Sequence, residues 1–359
     1  MNKRLIAIHL PQFHPFPEND EWWGKGFTEW TNVTKSKPRF LGHYQPHLPS
    51  DTGFYDLRLP EAREMQAEMA KRYGIYGFCY YHYWFNGKRL MERPVSEIIQ
   101  EGKPDFPFML CWANENWARN WDGGFKHLLM EQKYSDEDDV AHMEYLCTEV
   151  FSDPRYIRID GKPFFIIYKI HLFPNPARTI KLWREVAKKH GLELYLAFFE
   201  HTHYDVEKYL SNGFDISVNF QPFCMDNFQY YKRLINVISG KLFNIKLTEL
   251  YSYKKYVKYR IKKPLPSYRQ FPCITPNFDN ASRRIGKGFT AFVGSTPKLY
   301  GKWLKSVFDK FQPYSREENF IFINAWNEWA EGNHLEPDQK WGHAYLEETK
   351  KVIDKYNKE

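Results

Sequence analysis

Two glutamates three residues apart, Glu328 and Glu331, stand in "NAWNEWAEGNHLEP", residues 324 to 337, directly after the apolar run "FIFI". Two carboxyl groups held close together among aromatic rings do not both stay ionised, because proximity and desolvation raise one pKa and leave the other low. The pair then offers an acid and a base at neutral pH. Cleavage of a glycosidic bond uses that combination: one group protonates the leaving oxygen while the other supplies or assists the nucleophile, and a close pair favours retention of configuration. On a fully extended strand, residues i and i+3 point to opposite faces about 10 Å apart, so the chain has to turn here. A turn that leaves the strand at Asn327 or Glu328 and coils toward Gly332 brings the carboxyls within roughly 5 to 6 Å of each other. Trp326 and Trp329 flank the pair, and Glu328 shares strand parity with Asn324 and Trp326, which suggests a common inward-facing row.

The elements that must position this pair repeat along the chain. Apolar, β-rich runs cover residues 4 to 13, 74 to 85, 106 to 117, 162 to 170, 192 to 200, 215 to 222, 271 to 280 and 319 to 329. Their near-continuous apolarity, without alternation, belongs to strands covered on both faces, hence to a parallel sheet. Helix signals lie between them: "LPEAREMQAEMAKRYG", "NPARTIKLWREVAKKHG" and "STPKLYGKWLKSVFDKF" each place Pro in the first turn, and "SDEDDVAHMEYLCTEVF" puts acids at the positive end of the helix dipole. Eight alternations, ending in "HAYLEETKKVIDKY", predict an α/β fold, a (β/α)8 TIM barrel occupying residues 1–359 as a single domain; an open doubly wound sheet is the alternative.

In such a barrel the chemistry sits at the C-terminal ends of the strands. Those ends are polar and aromatic here, as a cleft for a polyhydroxylated ligand would be. Candidate sugar contacts are Asn114, Glu115 and Trp117 in "WANENW", His82 and Trp84 in "YYHYWF", Glu200 in "FFEHTHY", and Asp279 and Asn280 in "NFDNASRR", with Arg283 one turn on for an anionic substituent. Asp279 reads equally as an Asx turn capping the next element, and His82, Trp84 and Glu200 equally as packed rim residues. His9 and His14 are weaker candidates. Two segments exceed ordinary loop length: residues 14–55, rich in Pro, Gly and Trp, read as a substrate-shaping loop, and residues 223–270 as a basic, tyrosine-rich helical insertion. That insertion suits peripheral contact with a membrane or an acidic glycan, or serves as a solvated face.

Composition narrows the classes. The 359 residues are 43% hydrophobic, ample for a full core, and 18% aromatic, more than packing needs; surplus rings are common where sugars or bases stack. The net charge of +7 is spread thinly and does not indicate nucleic acid. Five cysteines without a CxxC favour reduced thiols and no structural zinc. The apolar run near the N-terminus is too short for a signal peptide, and no stretch reaches the ~20 apolar residues needed to span a bilayer, so a cytoplasmic protein without a transmembrane segment is expected. No phosphate-binding glycine motif follows a strand. His334, Glu336, Asp338 and His343 fit no established metal spacing, and neither a metal nor a cofactor is expected.

"WNEWAEGNHLEP", with "PNFDN" before it and "HLPQFHPFPEN…WWGKGFTEW" near the start, resembles over nearly the whole chain the bacterial polysaccharide-cluster proteins called WbsX, whose domain is similar to glycoside hydrolase family 99. The resemblance implies a metal-independent (β/α)8 barrel, a retaining endo-acting α-mannosidase or α-mannanase, and a carbohydrate substrate. Its pattern of two glutamates, a glycine and a downstream Glu-Pro falls on Glu328, Glu331, Gly332, Glu336 and Pro337. By that resemblance Glu328 is the base on the sugar's own 2-hydroxyl, giving a 1,2-anhydro sugar, and Glu331 the general acid and then base; Trp326, Asn327, Trp329 and Glu336 complete the substrate site. The first run reads "HLPQFH" where the mannosidases carry a tyrosine-rich one. The WbsX label itself implies a glycosyltransferase in O-antigen or capsular polysaccharide biosynthesis. The only DxD in the chain, Asp136 to Asp138, falls in a helix's first turn, where capping explains it. A catalytically idle carbohydrate-binding barrel is the third reading.

Overall fold

A computed structural model describes residues 2–118, 128–202, 204–222, 249–284 and 288–356. Nine parallel strands form a nearly closed barrel: β1 Arg4–His9, β2 Ile75–Phe85, β3 Phe108–Trp112, β4 Lys162–Ile167, β5 Tyr195–Phe199, β6 Ile216–Val218, β7 Gln270–Phe271, β8 Cys273–Ile274 and β9 Phe320–Ile323. Neighbours run β7-β6-β5-β4-β3-β2-β1-β9-β8, with registers such as Ile6 opposite Phe322 and Ala7 opposite Phe78. The two ends of this order, β7 and β8, are separated in sequence only by Pro272. Proline has no N–H for a ladder, so one strand reads as two; its carbonyl still accepts from the Phe322 N–H at 2.8 Å. The eight apolar runs thus supply eight barrel positions, the seventh broken in the middle.

Helices cover the outside. The 14–55 segment contains α1 Pro17–Trp23 and α2 Glu29–Lys35; then follow α3 Pro60–Arg72, α4 Arg93–Glu101, α5 Asp136–Tyr145, α6 Pro176–Lys189, α7 Val206–Ser211, α8 Tyr253–Lys262, α9 Pro297–Lys310 and α10 Ala344–Tyr356. Proline opens α3, α6 and α9, where its missing N–H costs nothing. In α5 the Ser135 side chain, not the DxD, caps the helix, accepting from the Asp138 N–H at 3.2 Å; Asp136 pairs with Arg178 and Asp138 accepts from Trp84 Nε1. Alternate β-strand residues face the helices: Trp112 packs on Trp183 at 5.9 Å and on His142 at 4.7 Å.

The long segments are tied to the barrel. Residues 223–248 of the basic insertion lie outside the described residues; the remainder forms a strand, Glu249–Ser252, paired parallel with Thr290–Val293, and α8, which buries Tyr253, Tyr256 and Val257 and exposes Lys254 and Lys258. Among the described residues no helix is long and apolar enough to cross a membrane. Within the 14–55 segment Trp30 Nε1 donates to the Tyr55 carbonyl, and the segment is pinned by the Tyr55 hydroxyl on Glu336 and by the Ser50 N–H on the Pro337 carbonyl, all at 2.8 to 3.0 Å.

Candidate active site

Strand β9 ends at Ile323. The chain then makes a short hairpin, Asn327–Glu328 against Asn333–His334, whose tip is a 3-10 turn, Trp329–Glu331, closed by Gly332 in the left-handed region at φ 55°. This turn puts both carboxyls on one arginine: Arg283 donates from one terminal nitrogen to Glu328 at 3.0 Å and from the other to Glu331. Its Nε donates to a third carboxylate, Glu29 of α2, at 2.7 Å. Glu29 is fully buried, Glu328 nearly so, and the Glu331 side chain is 21% exposed. A left-handed backbone costs an L side chain roughly 1–2 kcal/mol, and a Cβ at position 332 would meet the Asp279 Cβ at 3.0 Å. Gly332→Ala is therefore expected to lower stability by roughly 1–3 kcal/mol and to disturb Glu331, whose carbonyl accepts from the Asp279 N–H; chemical denaturation and turnover together measure this.

A cavity of about 250 Å³ opens beside the pair. It is lined by Glu328, Glu331 and Arg283, by the rings of Tyr81, Tyr83, Tyr168 and Trp117, and by Glu115, Asn116 and Asn324. One guanidinium serves three carboxylates, so the site is negative when all are ionised and holds a proton instead. Burial pushes Glu328 up to about 8, with Arg283 pulling it down and Glu331 pushing it further up; burial raises Glu331 as well, against Arg283. Burial keeps the three tyrosine hydroxyls protonated, so they face the cavity as donors.

Of the residues the sequence suggested, Glu328, Glu331, Glu115 and Trp117 meet at this cavity. Arg283 and Asn324 line it too, and the remaining candidates do not. His82 and Trp84 point to the helix side of β2: His82 bonds His142 at 3.0 Å, and Trp84 stacks on His142 with centroids 4.6 Å apart. A strand alternates faces, so Tyr81 and Tyr83, the neighbours passed over, carry the cavity. The parity row expected from β9 breaks for the same reason in reverse, since the extended backbone stops at Ile323. Trp326 and Trp329 are fully buried and donate to Glu336 at 3.0 and 2.6 Å; Tyr55 and Gln66 donate to it too, and this inward-turned carboxyl is raised by burial to about 7. Asn327 stitches the loop after β1, exchanging hydrogen bonds with both the N–H and the carbonyl of Leu10. Asn114 does the same for Lys169, and Glu200 accepts from Ser217, Asn219 and Gln270.

Asp279 caps the 3-10 turn after it and accepts from His43 and Gln45 at 2.6 and 2.8 Å, while Asn280 accepts from the Thr290 N–H. Both side chains are thus held by the protein's own hydrogen bonds, the arrangement the Asx-turn reading describes. Arg283 does not await an anionic substituent; three carboxylates already surround it. His9 bonds Gln66 and His14 the Pro11 carbonyl, both buried. Among the ligands weighed for a metal, Glu336 turns to the indoles and His343 pairs with Asp51, so that set does not converge. Glu29 was not anticipated; nothing in "FTEWTN" marks a glutamate that is buried 254 residues away from its partner.

These titrations set the pH dependence of stability. Burial lowers His9 and His82 to about 3 and His14 and His201 to about 4, so below pH 6.5 the unfolded chain binds protons the folded one refuses, and stability rises with pH. Glu328 and Glu336 act oppositely, keeping protons that the unfolded chain has released above about 4.5, so they remove stability up to about 8 and 7. With more imidazoles than such carboxyls, the thermal midpoint should peak near pH 6.5 and decline by pH 8, by roughly 1–2 kcal/mol of stability. Melts across pH 4 to 9 check this, and Glu328→Gln should flatten the alkaline decline.

A model of the family described as "Glycosyltransferase WbsX" matches residues 5–349. The "Uncharacterized protein WxcX" of Xanthomonas campestris pv. campestris strain B100 is 39% identical over 354 residues, covering 97% of this chain and 49% of that protein, and a second strain of the pathovar gives the same figures. The chain spans about half the length of the curated relatives it matches. Among solved structures, the GH99 endo-α-mannosidase from Bacteroides thetaiotaomicron superposes with a TM-score of 0.61 at 16% identity, over 100% of this chain and 98% of that one. A "Glycoside hydrolase-like protein" superposes at 0.62 with 13% identity, over 98% and 94%. At such identities the likeness is one of fold.

Proposed function

The chain belongs to the Glycosyltransferase WbsX family, and from that premise we propose that it acts on a bacterial surface polysaccharide or its precursor through Glu328 and Glu331, as a retaining glycoside hydrolase of the endo-α-mannosidase kind. The observation that carries this reading is the convergence of both glutamates on one arginine beside a tyrosine-lined cavity at the C-terminal end of the barrel strands. Two buried carboxyls sharing one cation hold one proton between them at neutral pH, which is what acid–base cleavage requires.

In the proposed reaction the pair starts from the form whose one proton sits on Glu331; burial pushes Glu328 up to about 8 as well, so that form gains as pH rises toward 8, and in it Glu328 takes the proton of the sugar's 2-hydroxyl as O2 attacks C1. Glu331 gives its proton to the leaving glycosidic oxygen, and the C1–O bond breaks to leave a 1,2-anhydro sugar. Glu331, now a carboxylate, deprotonates a water that opens the ring at C1, and Glu328 returns its proton to O2. Two inversions at C1 give net retention, and no enzymic nucleophile is needed. This mechanism demands a C2 oxygen trans-diaxial to the leaving group, as in α-mannose. The tyrosine hydroxyls would hold sugar hydroxyls, and the exposed lysines of α8 would contact acidic glycan or lipid headgroups.

The family's description favours a second reading, transfer to a sugar hydroxyl by a glycosyltransferase. Oligosaccharides and UDP-, GDP- and CMP-sugars offered in parallel separate the two. Hydrolysis yields new reducing ends whose anomeric configuration, read by NMR on the fresh product, is that of the substrate. Nucleotide release without new reducing ends overturns it.

A further inference from the structure

A second cavity, of about 330 Å³, is lined by Gly332, His334, Asp338 and His47 among others. His47, His334 and Asp338 are all buried, and one ligating atom of each lies within 4.8 Å of the other two. His47 Nδ1 stands 2.9 Å from His334 Nε2, which stands 3.9 Å from Asp338 Oδ2. In a tetrahedral zinc site with bonds of about 2.0–2.2 Å, ligand atoms stand roughly 3.3 Å apart, so these separations bracket that value.

Two of the three ligands, His334 and Asp338, are oriented from behind. His334 Nδ1 donates to the Glu336 carbonyl at 2.9 Å, which leaves the Nε2 lone pair facing His47 and Asp338, and the ring is held flat on Trp329 with centroids 3.8 Å apart. Asp338 Oδ1 accepts the N–H groups of Lys340 and Trp341 at 3.0 and 2.6 Å, which frees Oδ2 for the cluster. Such outer bonds are what a metal-binding imidazole and carboxylate need. Lys340 has its ammonium over the rings of Tyr44 and Trp341. Without an ion the contact closes as a hydrogen bond from His47 Nδ1–H to His334 Nε2.

We propose that His47, His334 and Asp338 bind one divalent transition metal ion of the zinc type, with a water from the adjoining cavity as fourth ligand. Two neutral imidazoles and one carboxylate match such an ion in charge and softness. On binding, His47 shifts its Nδ1 proton to Nε2 and the ion takes the vacated lone pair. The ion clips the 14–55 segment, through His47, to the stretch that follows the Glu328–Glu331 turn, joining residues 287 apart in sequence. Its role is structural and independent of which reaction the glutamates perform.

The test uses tag-free protein stripped with a chelator and back-titrated with Co²⁺ and Zn²⁺. We expect visible d–d bands from one Co²⁺ per chain, displaced by Zn²⁺, and a higher melting midpoint with either ion. His47→Gln, and Asp338→Asn, which keeps the Oδ1 that accepts from Lys340 and Trp341, should each weaken Co²⁺ binding by more than about 100-fold while the metal-free midpoint stays near that of the parent. Absence of bands and of any midpoint shift in the parent protein, or binding equal in parent and both variants, overturns the proposal.

Discussion

Glu331→Gln is expected to lower the rate of new reducing-end formation by about 10³-fold, within the range that general acid–base groups contribute. Glutamine keeps the side chain's shape and its contact with Arg283, but it cannot protonate a departing oxygen. The fold should tolerate the change, since Glu331 is the most exposed of the three carboxyls on Arg283 and the neutral amide matches the protonated acid in charge. The chemistry supplies its own control. A substrate with an aryl leaving group of low pKa needs no proton, so it should recover much of the lost rate with Glu331→Gln and none with Glu328→Gln, whose missing base works on the sugar side. Equal recovery with both variants would assign the roles differently, and nucleotide release that survives Glu331→Gln would remove the pair from the mechanism.

Arg283→Met should be the most damaging single change to stability, costing roughly 3–5 kcal/mol, because it leaves three buried carboxylates without their cation. Side-chain exposure of the arginine is 10%, so solvent does little to screen the loss. The carboxyls can respond only by taking up protons, which carries Glu328 and Glu331 further above the usual carboxylate range and moves the alkaline limit of any residual activity to higher pH. Adding Glu29→Gln to this background removes one of the stranded charges and should restore part of the stability, a coupling that a double-mutant cycle measures directly. Additive losses would mean that Glu29 and Arg283 are not one electrostatic unit.

The barrel was legible because parallel strands covered on both faces leave continuous apolar runs, and each run did become a strand. Their ends were less legible. The run from 271 to 280 reads as one strand, but Pro272 divides it and the part from Pro276 on is loop that caps itself through Asp279. The glutamate pair was legible too, since i,i+3 acids after a strand demand a turn and Gly332 marks where it closes. Face was the harder matter. In "YYHYWF" the histidine and tryptophan draw the eye, although their partners, Asp138 and His142, were visible as an i,i+4 pair on the acid-opened helix. Trp326, Trp329 and Glu336 look like a sugar platform in sequence and are a closed hydrogen-bonded core in space, because indole N–H groups that are buried must find an acceptor. Contacts such as Glu29 with Arg283 and His47 with His334 carry no local pattern at all.

The third carboxylate on Arg283 arrives from α2, a short helix in the 14–55 segment rather than in the barrel. If α2 lifts by a few ångströms, Glu29 leaves and the guanidinium belongs to Glu328 and Glu331 alone, which draws their proton affinities back toward those of ordinary carboxylates. Burial remains the larger push, so Glu29 adds to the pair's proton affinity rather than creating it. A residue borne on a segment outside the barrel thus helps tune the acid inside it.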